Sequence, residues 1–150
     1  MIQVTIPPMP IPANDVAEPL PEVRKLTPID QPYPQFMGVT LLEATPARVV
    51  GRLEARAELC RSGETLHGAA IMALADICAS QGAFLNLPEG AATTTIETKT
   101  NYISAPKKGA PILAEALPLH IGRRSSVWQT RVTREDGKLI AMVTQTQMVI

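Results

Sequence analysis

Between Ala69 and Leu87 the only polar side chains are those of Asp76, Ser80, Gln81 and Asn86. A helix that is apolar nearly all round is buried nearly all round, so this stretch constrains everything placed around it. Residues 63–87, GETLHGAAIMALADICASQGAFLNL, are expected to form one buried helix with a single acid, Asp76, near its middle.

The flanking segments read as strands. In ARVVGRLEARAEL, Arg48, Arg52, Glu54, Arg56 and Glu58 alternate with Val49, Gly51, Leu53, Ala55, Ala57 and Leu59. That is a period of two, with one wet face and one packed face. QFMGVTLLEA, just before it, is also strand-like. After the helix come ATTTIETKTNYIS, with Ile96 and Tyr102 expected on one face, then APILAEALPLHI, SSVWQTRVTRE and LIAMVTQTQMVI. Asp136-Gly137 between the last two signals a tight hairpin. Pro118 cannot donate to a ladder and marks an edge or a bulge.

The order is strand, strand, long helix, then four strands. One helix cannot cover both faces of a sheet of five or six strands, but it fills the concave face of a sheet that curls around it. The expected fold is α+β, a curved antiparallel sheet wrapped around one long central helix. Such a sheet covers only part of the helix, and a second copy of the domain is the simplest cover for the remainder. Self-association, as a dimer at least, follows.

Nine of the fourteen prolines fall within residues 7 to 34. Proline fixes φ and removes a backbone donor, so residues 1–33 are expected to be an extended arm and residues 34–150 the folded domain. PEVRKL within the arm can make one helical turn. Fourteen basic and fourteen acidic residues cancel, and no global basic field argues for nucleic acid or an anionic membrane. Two cysteines, Cys60 and Cys78, and two histidines match no metal-ligand spacing, and reduced thiols in a cytoplasmic protein are the expectation. The first residues lack the basic and apolar regions of a secretory signal. No apolar run approaches the ~20 residues of a membrane helix.

Burying an unpaired carboxylate costs several kcal/mol, roughly, or forces it to take up a proton. Asp76 is therefore either a satisfied structural charge, held by Ser80 or an arginine, or a group that does chemistry on something brought to it. The helix start bears on the choice. In Leu66-His67-Gly68-Ala69 a glycine stands at the opening turn, where backbone N–H groups lack intrahelical partners and the macrodipole is positive. Such a place suits an oxygen that gains negative charge, as a carbonyl does under nucleophilic attack. Yet Gly68 and Asp76 are eight residues apart, about 12 Å along a helix. They can flank one carbonyl only if two antiparallel helices meet across a two-fold axis. Ser80, four residues past Asp76, shares its face and can orient a water or the carboxylate.

The stretches GETLHGAAIMALADICASQGA, TTTIETKTNYISAPKKG and HIGRRSSVWQTRVTREDGKLIAMVTQT together resemble the hotdog-fold acyl-CoA thioesterases of the phenylacetic-acid-degradation (PaaI-type) branch. The resemblance covers residues 35 to 150 and omits the arm. It implies that Gly68 donates its amide to the thioester carbonyl, that Asp76 is nucleophile or general base, and that Ser80 and Thr95 assist. It also implies that His67 steadies the helix start or the carbonyl. The pattern departs from the family at two substrate-binding positions. Ala69 stands where a second glycine is common and narrows the channel. Arg61 stands where the family carries Asn or Gln, and it can pair with Asp76 across a dimer or meet a charged acyl group.

Within that resemblance, the doublets Lys107-Lys108 and Arg123-Arg124 are expected either to meet the phosphates of coenzyme A or to be solvated loops. Tyr33 and Phe36 are candidates for the acyl pocket. Trp128 reads as core or interface, Cys78 as core, and His120 as structural. The function expected is hydrolysis of an acyl-CoA to free acid and coenzyme A, at a site shared between two subunits of a dimer or tetramer. No metal or redox cofactor is expected, coenzyme A being part of the substrate, and no nucleic-acid or membrane partner. The alternative is an acyl-CoA-binding hotdog protein that Arg61 has left catalytically weak. A hotdog dehydratase or hydratase fits less well, because its histidine and acid occur at other spacings.

Overall fold

A computed structural model describes residues 31–62 and 64–150 of the 150-residue chain, so most of the proline-rich arm lies outside the described residues. The described chain runs α1 (Pro32–Met37), β1 (Thr40–Ala44), β2 (Val49–Glu54), a 3-10 turn (Ala57–Leu59), β3 (Cys60–Arg61), β4 (Thr65–Leu66), α2 (Gly68–Leu85), β5 (Thr93–Tyr102), β6 (Pro111–Ile121), β7 (Ser125–Arg134) and β8 (Leu139–Val149). Six strands form one sheet in the order β1–β2–β6–β7–β8–β5, and every pairing is antiparallel. The expected α+β hotdog arrangement is what the chain adopts: the sheet curls around α2.

The wrapping follows from which residues face inward. On the inner side, Val49, Leu53, Ile112, Ala114, Ala116, Trp128, Val132 and Val143 meet Ile71, Leu74, Ala75, Cys78 and Ala79 of α2 in one continuous core. Each fully buried Ile or Leu there stabilises the fold by about 1.5–3 kcal/mol. Gly82 lets the indole of Trp128 lie against the helix, since a Cβ at this position would sit 2.4 Å from the ring. Trp128 is thus core, its indole N–H donating to Ser126 Oγ at 3.0 Å. Cys78 is fully buried, and desolvation pushes its thiol up to about 12, partly offset by a backbone hydrogen bond from Gly51, so it is a packing residue.

Several boundaries differ from the sequence reading. The helix starts at Gly68 rather than at 63, because Cys60–Arg61 and Thr65–Leu66 pair as a small hairpin before it. Residues 32–37 form a helix where an arm and a strand were expected. Pro32 stands at its first position, where a missing N–H costs nothing, and Gly38 closes it in the left-handed region. The β2 strand ends at Glu54, and Ala57, expected on the packed face, is exposed on the 3-10 turn. A bulge between Thr95 and Glu97 drops Ile96 from the β5–β8 register. The inward set becomes Thr93, Thr95, Thr98, Thr100 and Tyr102, and Ile96 no longer shares a face with Tyr102.

Pro118 sits at the bulge the sequence signalled, and β2 pairs with β6 only as far as Ala116, so no ladder partner is lost. The Asp136-Gly137 hairpin forms as expected, with Gly137 N–H donating to Arg134 O at 2.9 Å. At 18 residues α2 is, by length and composition, apolar enough to cross a membrane, which the sequence reading had denied of any run. Its burial within the sheet marks it as the core helix. The sheet leaves one stripe of it uncovered, however: Met72 and Phe84 are 38% and 37% exposed, and Asp76, Ile77, Ser80 and Gln81 are only half-buried.

Candidate active site

Asp76 lies on that half-covered stripe, and the inner face of the last strand pair holds it. Thr95 Oγ1 donates to Asp76 Oδ1 at 2.9 Å, and Gln145 Nε2 donates to the same oxygen at 3.0 Å. Oδ2 makes no hydrogen bond among the described residues. Gln147 extends the network: its Nε2 donates to Thr95 Oγ1 at 2.7 Å and to Ser80 Oγ at 2.9 Å, while Thr93 Oγ1 donates to Gln147 Oε1 at 3.2 Å. Ser80 and Thr95 stand 3.5 Å apart. No arginine reaches Asp76 among the described residues.

Three of the sequence-derived site residues, Asp76, Ser80 and Thr95, therefore come together in one cluster. Gln145 and Gln147 complete it and were missed. Both are 1% exposed. The signal was present: they continue the inward series Ala141, Val143, Gln145, Gln147, so the strand places two amides at positions its own period assigns to the core.

The second cluster is at the start of α2. His67 is the N-cap, and its Nδ1 accepts from Ala69 N–H at 3.0 Å. The backbone N–H groups of Ala70 and Ile71 bond to His67 O. The Gly68 N–H is left without a partner among the described residues, at the positive end of the helix. Tyr102 lies against Gly68: its hydroxyl donates to Gly68 O at 3.1 Å, and a Cβ on Gly68 would stand 3.2 Å from the ring. Beside this turn a cavity of about 220 Å³ is lined by Tyr33, Phe36 and Met37 of α1 with Glu58, Leu59, Cys60, His67, Ala69 and Ala70.

The remaining residues are dispersed. Arg61 is exposed on the small hairpin, and its Nε donates to Thr65 Oγ1 at 2.8 Å, away from Asp76 of its own subunit. Lys107 bridges to Thr65 through the backbone, so the lysine doublet sits at the opening end of α2. Lys108 Nζ is 2.5 Å from Glu64 Oε1. That bond holds the Glu64 carboxyl below its ordinary range and the Lys108 ammonium above it, so an anion must compete for Lys108. Arg123 and Arg124 are exposed in the β6–β7 turn, where Arg124 O accepts from Val149 N–H, at the far end of the sheet. The two doublets cannot grip one nucleotide within a single subunit. Among the described residues no group of three or more His, Cys, Asp or Glu could hold a metal.

Residues 63–141 match the family model of the thioesterase superfamily. A protein of Vibrio cholerae provisionally named an esterase is 32% identical over 77 residues, and the match spans 51% of this chain and 51% of that protein. A 1,4-dihydroxy-2-naphthoyl-CoA hydrolase of Listeria monocytogenes is 26% identical over 108 residues, covering 72% of this chain and 87% of the relative. Among solved structures, a point variant of the phenylacetic acid degradation protein PaaI from Thermus thermophilus superposes with a TM-score of 0.73 at 26% identity, over 79% of this chain and 98% of the other.

Proposed function

Because this chain belongs to the thioesterase superfamily, we propose that it hydrolyses an acyl-CoA thioester, at a site assembled from two subunits. The observation that carries this reading is the division of the helix into two half-sites. The unpaired Gly68 N–H and the free Oδ2 of Asp76 lie eight residues apart on α2, about 12 Å along its axis. Neither has a counterpart within reach in its own subunit. The uncovered stripe through Met72, Asp76, Ser80 and Phe84 supplies the surface on which a second helix packs antiparallel.

In this mechanism the thioester carbonyl rests on the Gly68 amide of one subunit. Asp76 of the other either takes a proton from a water that attacks it, or attacks it directly to give an acyl-aspartyl anhydride that a water then hydrolyses, and the charge that develops on the carbonyl oxygen is met by the helix start. Ser80 Oγ accepts from Gln147, so its own proton can orient the water or meet the sulfur of the leaving thiolate. Collapse of the tetrahedral species expels coenzyme A as the thiol. The acyl group enters the cavity beside Ala69. Glu58 puts a carboxylate on its wall, which favours a neutral acyl group over one carrying a second carboxylate. Antiparallel helices also bring the Lys107-Lys108 end of one subunit toward the Arg123-Arg124 end of its partner. The doublets can then serve one set of phosphates together.

The test is a panel of acyl-CoAs, neutral and carboxylated, with release of free thiol followed for the unsubstituted protein and for Asp76→Asn. Thiol release that depends on Asp76 supports the reading. Tight binding of the panel without turnover instead identifies an acyl-CoA-binding protein.

A further inference from the structure

We propose that Gln145 and Gln147 are positioning residues for Asp76, an inference that rests on the thioesterase reading above. Both amides are buried in a strand whose neighbouring inward positions, Ala141 and Val143, are hydrocarbon. A buried amide contributes to stability only if both of its ends are bonded. Gln145 fails that condition: its Nε2 serves Asp76, but its Oε1 is buried with no hydrogen-bond partner among the described residues. An apolar side chain of the same length would suit the core as well or better. What the amide does that hydrocarbon cannot is hold Asp76 Oδ1 from one side.

Gln147 fixes the other side. It gives its two protons to Thr95 Oγ1 and Ser80 Oγ, and its own carbonyl shares the Thr93 hydroxyl proton with Met148 O. The Thr95 oxygen, already accepting, must use its one proton on Asp76 Oδ1, 2.9 Å away. The chain of bonds therefore has a single direction, Thr93 to Gln147 to Thr95 to Asp76. Two donors converge on Oδ1, and Oδ2, without a hydrogen bond among the described residues, is left for the substrate or water. Ser80 is left with a proton to donate. The pair thus sets both the aim of the carboxylate and the direction of the hydroxyl beside it.

Gln145→Met tests this, because methionine matches the length and lacks the donor. Activity toward the best acyl-CoA of the panel and thermal stability are measured together, with Asp76→Asn as the inactive control. The expected result is a kcat lower on the order of 10²-fold, with KM within about threefold and a Tm no more than about 5 °C below the unsubstituted protein. Gln147→Met should give a smaller fall in kcat, since it loosens Thr95 without stripping Oδ1. An unchanged kcat in Gln145→Met overturns the proposal. So does a larger loss of Tm or a failure to fold, which would make Gln145 a structural amide. If the unsubstituted protein releases no thiol from any acyl-CoA, the thioesterase reading fails first and this inference goes with it.

Discussion

The opening turn of α2 and its middle are built by opposite means. At Gly68 the group proposed to act belongs to the backbone: an N–H without a partner among the described residues, at a helix end beside a histidine cap and the Tyr102 ring. At Asp76 it is a side chain, held by two others from two strands, Thr95 and Gln145, with Gln147 behind Thr95. The first half-site is specified by local sequence, three residues in a row. The second depends on residues almost 70 positions away, brought in by the register of β8 on β5. One helix therefore carries a locally made half and a tertiary half, which the proposed function joins across two subunits.

Substitutions at the two halves should break this contrast in different ways. The largest effect is expected from Asp76→Asn, which keeps the hydrogen-bonding shape and removes the base or nucleophile. kcat/KM should fall by about 10²–10⁴-fold with the state of association unchanged, checked by thiol release and by sedimentation. Next is Gly68→Pro. Proline is tolerated at the first helical position, and His67 already has the extended backbone (φ −68, ψ 139) that a residue before proline requires. This change replaces the N–H by the ring's Cδ, which also takes up space where the carbonyl oxygen would rest, and the added Cβ asks a few tenths of an ångström of movement of Tyr102. A fall of about 10²–10³-fold in kcat, with the helical circular dichroism unchanged, is the expected outcome.

Stability effects are smaller and separate the halves again. His67→Ala removes the cap on Ala69 N–H and should cost about 1 kcal/mol in chemical denaturation. Thr100→Val should do the reverse. The Thr100 hydroxyl is buried without a partner among the described residues, and replacing it with a methyl should stabilise the fold by up to about 1 kcal/mol. The last effect is confined to high pH and concerns Cys78. Its thiol is raised by burial from 9.0 to about 12, so the unfolded chain ionises there first as pH rises. The contribution is fully present below pH 9 and is lost as pH climbs toward 12. At pH 8 iodoacetamide should label the half-buried Cys60 and leave Cys78 untouched in the native protein, as peptide mass mapping would show.

How much of this was legible in the sequence depends on range. The single apolar helix, the number of main strands, the Asp136-Gly137 hairpin and the bulge at Pro118 were all readable, because each is set by neighbours a few residues apart. The start of α2 was misplaced because Thr65–Leu66 is drawn into a strand by Cys60–Arg61, a pairing too short to leave a periodic trace. The face of Ile96 was misassigned because one extra residue in β5 reverses the alternation. Asp76 and Ser80 were picked out by type and spacing, and Thr95 through the family resemblance. Gln145 and Gln147 were not, since glutamine in a strand looks like any solvated polar residue until the register turns it inward. Arg61, read as a partner of Asp76 across a dimer or of a charged acyl group, is bonded to Thr65 within its own subunit, which bears on neither reading.

The central claim is that the Gly68 amide and the Asp76 carboxylate of one working site come from different subunits. The direct test mixes two inactive proteins, Gly68→Pro and Asp76→Asn, after dissociation and reassociation. A shared site predicts that each mixed dimer regains one intact site, so an equimolar mixture recovers about a quarter of wild-type activity. A mixture that forms hybrid dimers and stays inactive would place both groups within one subunit and contradict the account.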